Sequence, residues 1–131
     1  INLMIYNRDS LWFHLHVNYE LMIKKKIFSN SSDEEVFKIS TDGFQCPVSN
    51  CFSPSKFIKI CNKNKFRTKL KNVSISLFEL SKVNLINEAI NSEKIKLSSK
   101  DFLKQIYFKK RIPYFRKNIA GINAYYELRN F

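Results

Sequence analysis

The most distinctive stretch of the chain is residues 44–71, FQCPVSNCFSPSKFIKICNKNKFRTKLK. It contains all three cysteines of the protein, two of its three prolines and seven basic residues. No aspartate or glutamate occurs between Asp42 and Glu79. A run of cations without acids to neutralise it favours contact with an anionic partner. We therefore expect this stretch to organise both the fold and the binding properties of the chain.

The second half of this stretch alternates as a β-strand does. Its basic face consists of Lys65, Arg67, Lys69 and Lys71. Its opposite face consists of Phe66, Thr68 and Leu70. After Asn72 the apolar phase switches, which predicts a bulge or tight turn there. In the first half, the prolines disfavour regular structure, so we expect residues 44–62 to form an irregular loop that carries the cysteines.

The regions on either side predict strands first and helices last. Upstream, alternation predicts strands at residues 2–6, 11–23 and 36–40. Downstream, residues 77–91 have a loose apolar face that predicts a helix. The pattern Ser98-x-x-Asp101 predicts the start of a second helix, which Pro113 ends, and an extended segment follows around 119–128.

The predicted fold class is α+β, with an N-terminal mainly antiparallel β-sheet and about two C-terminal helices. The length fits a single domain over residues 1–131. We expect this domain to be β-rich over 1–76 and helical over 77–113, with an extended tail over 114–131. No apolar stretch is long enough to predict a membrane span.

Codon bias does not account for the excess of basic over acidic residues. Phe, Tyr, Met, Ile, Asn and Lys, which AT-rich codons encode, make up 67 residues, whereas Gly, Ala, Arg and Pro make up 13. This bias raises the lysine content. It does not explain why the chain has only 11 acidic residues and 23 basic residues, since AT-rich codons encode Asp and Glu too. The net charge of +12 therefore predicts an anionic partner such as nucleic acid, anionic lipid or an acidic protein.

The cysteines and histidines are the candidate metal ligands. An odd number of cysteines cannot pair completely, so we predict free thiols in a reducing compartment. The spacing of Cys46 and Cys51 between Phe44 and Phe57 resembles the first half of a zinc finger, but the histidine pair that completes such a finger does not follow. The candidate ligands are Cys46, Cys51, Cys61, His14 and His16. We interpret the thiols as small core side chains, with zinc binding as the alternative.

The pattern His14-Leu15-His16-x3-Glu20 is the most enzyme-like in the chain, because two imidazoles and a carboxylate can bind a divalent metal. The sequence does not complete the open coordination that a catalytic metal needs. No Ser-His-Asp, Cys-His or paired-acid spacing is present either. We therefore predict no enzyme activity, no cofactor and no small-molecule substrate, and a metal-dependent enzyme ranks third among the hypotheses.

Two groups of basic residues are the candidate nucleic-acid contacts. The first group is Lys56, Lys59, Lys63, Lys65, Arg67, Lys69 and Lys71. The second group is Lys104, Lys109, Lys110, Arg111, Arg116 and Lys117. The candidates for stacking on bases are Phe57, Phe66, Tyr107 and Tyr114. The alternative interpretations are lysines that protect an edge strand from aggregation and cations that favour a helix C-terminus.

The leading hypothesis from the sequence is a non-catalytic RNA-binding structural component of a ribonucleoprotein. Within that class we favour a small mitochondrial ribosomal protein, whose partners are ribosomal RNA and neighbouring proteins of a large assembly. The expected location is the matrix of a mitochondrion or other organelle, with the cytoplasm as the alternative. The second hypothesis is a structural or interaction subunit of a larger protein assembly, in which the aromatic residues form protein interfaces.

Overall fold

The computed structural model describes residues 1–28, 30–43 and 50–131, and its four-stranded sheet brings the two ends of the chain together. In sheet order the strands are β2 (Cys51–Phe52), β1 (Asn2–Asn7), β7 (Asn123–Asn130) and β3 (Phe66–Ser74). Strand β7 is antiparallel to both of its neighbours, whereas β2 is parallel to β1. The predicted basic strand is therefore real, and it forms an edge of this sheet.

A second sheet, with three antiparallel strands, precedes β7 in the chain. It consists of β4 (Tyr107–Lys109), β5 (Ile112–Phe115) and β6 (Asn118–Ile119), with β5 in the centre. Strand β6 also contacts β3 of the larger sheet. The prediction that a helix continues to Pro113 is wrong, because that proline is buried within β5.

Residues Trp12–Lys24 form a π-helix and not the strand predicted over 11–23. The buried apolar residues of this segment alternate, but they also repeat every four positions. One hydrophobic cluster contains Leu11, Leu15 and Tyr19, and another contains Phe13 and Val17. Because π-helical hydrogen bonds join residues five apart, a spacing of four keeps side chains on one side of the helix. The prediction failed because this pattern fits both structures.

Two more helices replace a predicted strand and part of a predicted loop. Helix α1 (Asp33–Asp42) occupies the segment 36–40, and its acidic first turn and Ser32 cap both stabilise a helix N-terminus. Helix α2 (Pro54–Lys63) occupies the second part of the loop predicted over 44–62. Proline is favourable at the first helical position, where its missing N–H is not needed. The first part of that loop, 44–49, lies outside the described residues.

The remaining helical segments are short and lie between β3 and β4. They are α3 (Leu77–Leu80), a 3-10 turn (Val83–Leu85), α4 (Ile86–Ile90) and α5 (Leu97–Lys104). Helices therefore occur throughout the described chain, and strands form its C-terminal region. The predicted fold class, an N-terminal sheet followed by about two C-terminal helices, is wrong. None of the helices in the described ranges is long and apolar enough to cross a membrane.

The buried carboxylate of Glu79 fixes strands β3 and β7 relative to the rest of the fold. Glu79 accepts hydrogen bonds from the backbone N–H groups of Trp12 at 3.0 Å, Ser76 at 3.0 Å and Ile122 at 3.2 Å. Burial raises the pKa of this carboxyl group, although these donors oppose the rise. Since Ser76 follows β3 and Ile122 precedes β7, Glu79 holds the end of one strand near the start of the other.

Candidate nucleic-acid interface

The larger sheet has one covered face and one open face along β3 and β7. Helix α2 covers the first, where Phe57 and Cys61 pack with Tyr126 and Leu128. Side chains alternate along a strand, so the intervening residues of β3 and β7 point away from α2. We call this side the open sheet face and define it by Arg67, Lys69, Lys71, Tyr125, Glu127 and Arg129. The alternation predicted for β3 is confirmed, because Arg67 and Lys69 are exposed.

The register of β3 on β7 sets the charge pattern of the open sheet face. Arg67 lies directly opposite Arg129, and Lys69 lies directly opposite Glu127. Like charges at facing positions destabilise a strand pair, whereas opposite charges stabilise it. Arg129 donates a hydrogen bond to Glu127 at 3.0 Å, and the Arg67 guanidinium lies 5.6 Å from the centre of the Phe131 ring. The open sheet face thus carries four cations and one anion.

Glu127 is held in its charged form by its neighbours. The hydrogen bond from Arg129 does most to lower the pKa of the Glu127 carboxyl, and the charges of Lys71 and Lys69 lower it further. The carboxylate is therefore ionised at neutral pH, and it cancels part of the positive charge of the face.

The predicted bulge is confirmed at the end of the basic series. Leu70 faces Tyr126 and Asn72 faces Tyr125, which leaves Lys71 without a partner in the strand register. A bulge bends an edge strand and increases its local twist. At the other end of the series, Lys65 is exposed in the turn between α2 and β3.

The other lysines of the first basic group lie on a different surface. Lys56, Lys59 and Lys63 are exposed on α2, the helix that covers the opposite face of the sheet. The first basic group is therefore continuous in sequence, but the fold divides it between α2 and the open sheet face. Of this group, only Arg67, Lys69 and Lys71 lie on the open side of β3, and Lys65 precedes the strand.

The second basic group lies mainly on the three-stranded sheet, which we call the basic hairpin (residues 107–119). Lys109, at the end of β4, precedes the turn Lys110-Arg111, and a second turn, Arg116-Lys117, joins β5 to β6. All five side chains are exposed. Lys104 is also exposed, at the end of α5. The sequence correctly grouped these cations but placed them around the end of a helix.

Both turns of the basic hairpin use backbone conformations that lysine and arginine disfavour. The φ angles are 49° at Lys110, 69° at Arg111 and 56° at Arg116. A left-handed conformation costs a residue with a Cβ atom roughly 1–2 kcal/mol, and hairpin turns of this kind favour Asn-Gly. The chain has 14 asparagines, yet none of the described ones adopts a positive φ. Cations therefore occupy these tips at a cost in stability.

Two of the four predicted stacking residues pack in the hydrophobic cluster between α2 and the sheet. Phe57 is buried, with its ring centre 4.5 Å from that of Tyr126, and Phe66 packs against the same cluster. Tyr107 and Tyr114 stack on each other with ring centres 5.7 Å apart. The Lys109 ammonium lies 5.3 Å from the Tyr114 ring centre, so these tyrosines already form an internal stack with a cation beside it.

The predicted histidine pair is split between two environments. His14 Nδ1 lies 2.9 Å from Ser99 Oγ, and its ring stacks on Phe102 at 4.1 Å between centres. His16 Nδ1 lies 2.6 Å from Glu20 Oε1. Burial lowers the pKa of His14 to about 3 and also lowers the pKa of His16. Both histidines are therefore neutral at pH 7 and contribute packing and hydrogen bonds to the interior.

The metal hypothesis finds no geometric support in the described part of the chain. Within residues 1–28, 30–43 and 50–131, no three His, Cys, Asp or Glu side chains are arranged to hold a metal ion. Cys51 in β2 and Cys61 in α2 are free thiols, and Cys61 is a small core side chain as predicted. Cys46 lies outside the described residues.

Strand β7 contributes residues to the open sheet face that the sequence did not predict. Tyr125, Glu127 and Arg129 complete the open sheet face, but their position opposite β3 depends on a pairing between distant segments. The available signal was the alternation over 125–129, where Tyr125, Glu127 and Arg129 occupy every second position. Comparisons with protein-family models, with curated proteins and with solved structures found no match to this chain.

Proposed function

We propose that this protein is a non-catalytic RNA-binding component of a ribonucleoprotein and that the open sheet face is its main contact with phosphates. The observation that carries the proposal is the facing pair Arg67 and Arg129 beside Lys69. Neighbouring strands lie about 4.8 Å apart, so two guanidinium groups at facing positions can reach one phosphate. An anion bound there relieves the repulsion that the free protein retains.

The basic hairpin supplies a second group of phosphate contacts. Its exposed turn residues are lysines and arginines between short strands, and their positive charges are suited to phosphate contacts. Contacts to phosphates position an RNA without specifying its sequence. Because each neutralised phosphate releases counterions, binding through both surfaces depends steeply on salt concentration.

Within this class we favour a small ribosomal protein of a mitochondrion or related organelle, with ribosomal RNA and neighbouring proteins as partners. The size, the net charge of +12 and a composition rich in residues that AT-rich codons encode support this assignment. Sedimentation of an organelle extract tests it. The protein should move with ribosomal particles and leave them at high salt. Sedimentation with a membrane complex, or alone, contradicts the assignment.

The direct test of RNA binding is filter binding to bulk RNA over a salt series. We expect the triple variant Lys65→Glu, Arg67→Glu, Lys69→Glu to lose about 100-fold in affinity and to show a shallower salt dependence, because at least three phosphate contacts are lost. The matched control is Lys25→Glu, Lys26→Glu, Lys94→Glu, which changes the net charge equally at three exposed lysines outside both surfaces. Negligible binding of the wild type at low salt contradicts the proposal.

The second candidate function is an interaction subunit of a larger protein assembly. The observation that favours it is the exposure of large apolar side chains, with Leu77 85% and Leu97 70% exposed. In that case the salt series shows negligible RNA affinity, and Leu77→Ser with Leu97→Ser releases the protein from its assembly. Retention of the double variant in the assembly contradicts this alternative.

A further inference from the structure

We infer that the open sheet face contains a pocket for one unstacked nucleobase, located at the bulge of β3. The inference rests on the proposed function, because it takes RNA as the ligand and specifies where a base is held. A depression of about 490 Å³ lies at this position. It is lined by Asn2, Leu3, Met4, Lys71, Asn72, Tyr125 and Tyr126. Its volume lies within the range of small-ligand sites.

The floor of this depression offers a stacking surface. Tyr125 and Met4 face each other across β7 and β1, and their side chains are 39% and 46% exposed. An exposed ring on a sheet can stack on any base, because every base has a π-face. The adjacent thioether is a polarizable contact that adapts to the shape of a ring. Unlike Tyr107 and Tyr114, Tyr125 does not stack on another aromatic ring among the described residues.

The rim of the depression offers groups that can read the edge of a base. Asn2 and Asn72 each present an amide with donor and acceptor atoms side by side. An asparagine amide can make two such hydrogen bonds to one base. Within the described residues, neither amide makes a side-chain hydrogen bond. Both are therefore available to a ligand.

The bulge connects the pocket to the cations of β3. Lys71 lines the depression and lies outside the strand register, where its ammonium group can contact the phosphate of the bound nucleotide. Lys69 and Arg67 follow along the same strand at intervals of about 6.5–7 Å, comparable with the phosphate spacing of an extended single strand. A pocket that holds an unstacked base commits the occupant to a single strand, because the bases of a duplex remain stacked in its interior. The proposed function makes that strand RNA.

The test uses fluorescence anisotropy with a single strand of about 12 nucleotides, an abasic strand of the same length and a duplex. We expect the wild type to bind the natural strand about 10-fold more tightly than the abasic strand. Tyr125→Thr should remove this preference and leave the affinity for the abasic strand unchanged, whereas Tyr125→Phe should retain it. Tyr107→Thr, at a tyrosine with the same 39% exposure, is the matched control and should also retain it.

The possible outcomes distinguish failure of the pocket inference from failure of the proposed function. Equal affinity of the wild type for natural and abasic strands overturns the pocket while RNA binding stands. Negligible affinity for every RNA overturns both. A preference that survives in Tyr125→Thr assigns base contact to another part of the protein. Competition by free adenosine monophosphate as effective as that by the strand assigns the depression to a free nucleotide and overturns the inference.

Discussion

The open sheet face and the basic hairpin both present lysine and arginine to solvent, but the backbone contributes differently to each. On the open sheet face, the regular alternation of β3 spaces Arg67 and Lys69, and the facing strand adds Arg129. On the basic hairpin, Lys110 and Arg111 occupy left-handed positions that favour glycine or asparagine. The cations of the open sheet face therefore lie on a regular strand backbone, whereas the cations of the hairpin turn lie on a backbone conformation that lowers the stability of the fold. We interpret the hairpin as the more specialised of the two surfaces.

The largest expected effect comes from reversing the charge of each surface separately. The hairpin variant Lys109→Glu, Lys110→Glu, Arg111→Glu makes the same change in net charge as the triple variant of β3. We expect about a 10-fold loss of RNA affinity, against about 100-fold for β3, because the β3 cations form a spaced series beside Arg129. Dissociation constants at one fixed salt concentration measure the difference. An equal or larger loss in the hairpin variant reverses the ranking of the two surfaces.

The two surfaces can be compared only while the protein stays folded. Acid pH should destabilise the fold, because its buried histidines are neutral and become protonated on unfolding. The pKa of His14 is about 3 in the folded protein and 6.5 in the unfolded chain, so the unfolded state binds more protons between these values. The free energy of unfolding should therefore be highest above pH 6.5 and fall by up to about 1.4 kcal/mol per pH unit below it. Urea unfolding at pH 7 and pH 5 measures this loss.

The matched variant for this pH dependence is His14→Gln, which keeps a polar side chain but removes the titrating group. It should be less stable than the wild type at pH 7, because the stack on Phe102 is lost. Its stability should nevertheless change less between pH 7 and pH 5. A wild-type slope that persists unchanged in His14→Gln assigns the acid sensitivity to another group, such as His16, whose pKa burial also lowers.

The cost of the hairpin turn can be measured by relieving it. Lys110→Asn with Arg111→Gly introduces the residues that such a turn favours and should stabilise the protein by about 1 kcal/mol. The same variant should bind RNA several-fold more weakly, since two cations are lost. Lys110→Gln with Arg111→Gln is the control, because it removes the charges and keeps the backbone cost. A relieved turn with no gain in stability contradicts the interpretation of a strained tip.

The sequence predicted the basic edge strand because its signal is local. Alternation from Lys65 to Lys71 and the phase switch at Asn72 both depend on neighbouring residues. The first corresponds to β3 from Phe66 onward, with Lys65 in the preceding turn, and the second corresponds to the bulge of that strand. The partners of that strand could not be predicted in the same way. Tyr125 and Arg129 lie opposite β3 through pairing between segments more than fifty residues apart, which no local pattern encodes.

The errors in the predicted fold have equally specific causes. At residues 11–23 an alternating pattern also repeated every four positions, and packing against two separate clusters selected the π-helix. The prolines of residues 44–62 predict an irregular loop, but Pro54 follows the Ser53 cap and occupies the first turn of α2, where proline is favourable. The turn Lys110-Arg111 lacks glycine and asparagine, so the hairpin carried no turn signal. That the whole chain forms one domain stays a prediction.

The smallest expected effect is also the sharpest test of the open sheet face, because it predicts a gain. Glu127→Gln removes the carboxylate that Arg129 and Lys69 surround, and it frees both cations for phosphate. RNA affinity should rise about threefold at neutral pH. The lowered pKa of Glu127 keeps the wild-type carboxylate charged throughout the neutral range, so the difference between the two proteins should not change between pH 6.5 and pH 8. Glu93→Gln, at an exposed residue outside the face, controls for the change in net charge. If both variants gain equally, the affinity depends on total charge alone, and the register of β3 on β7 contributes nothing to RNA binding.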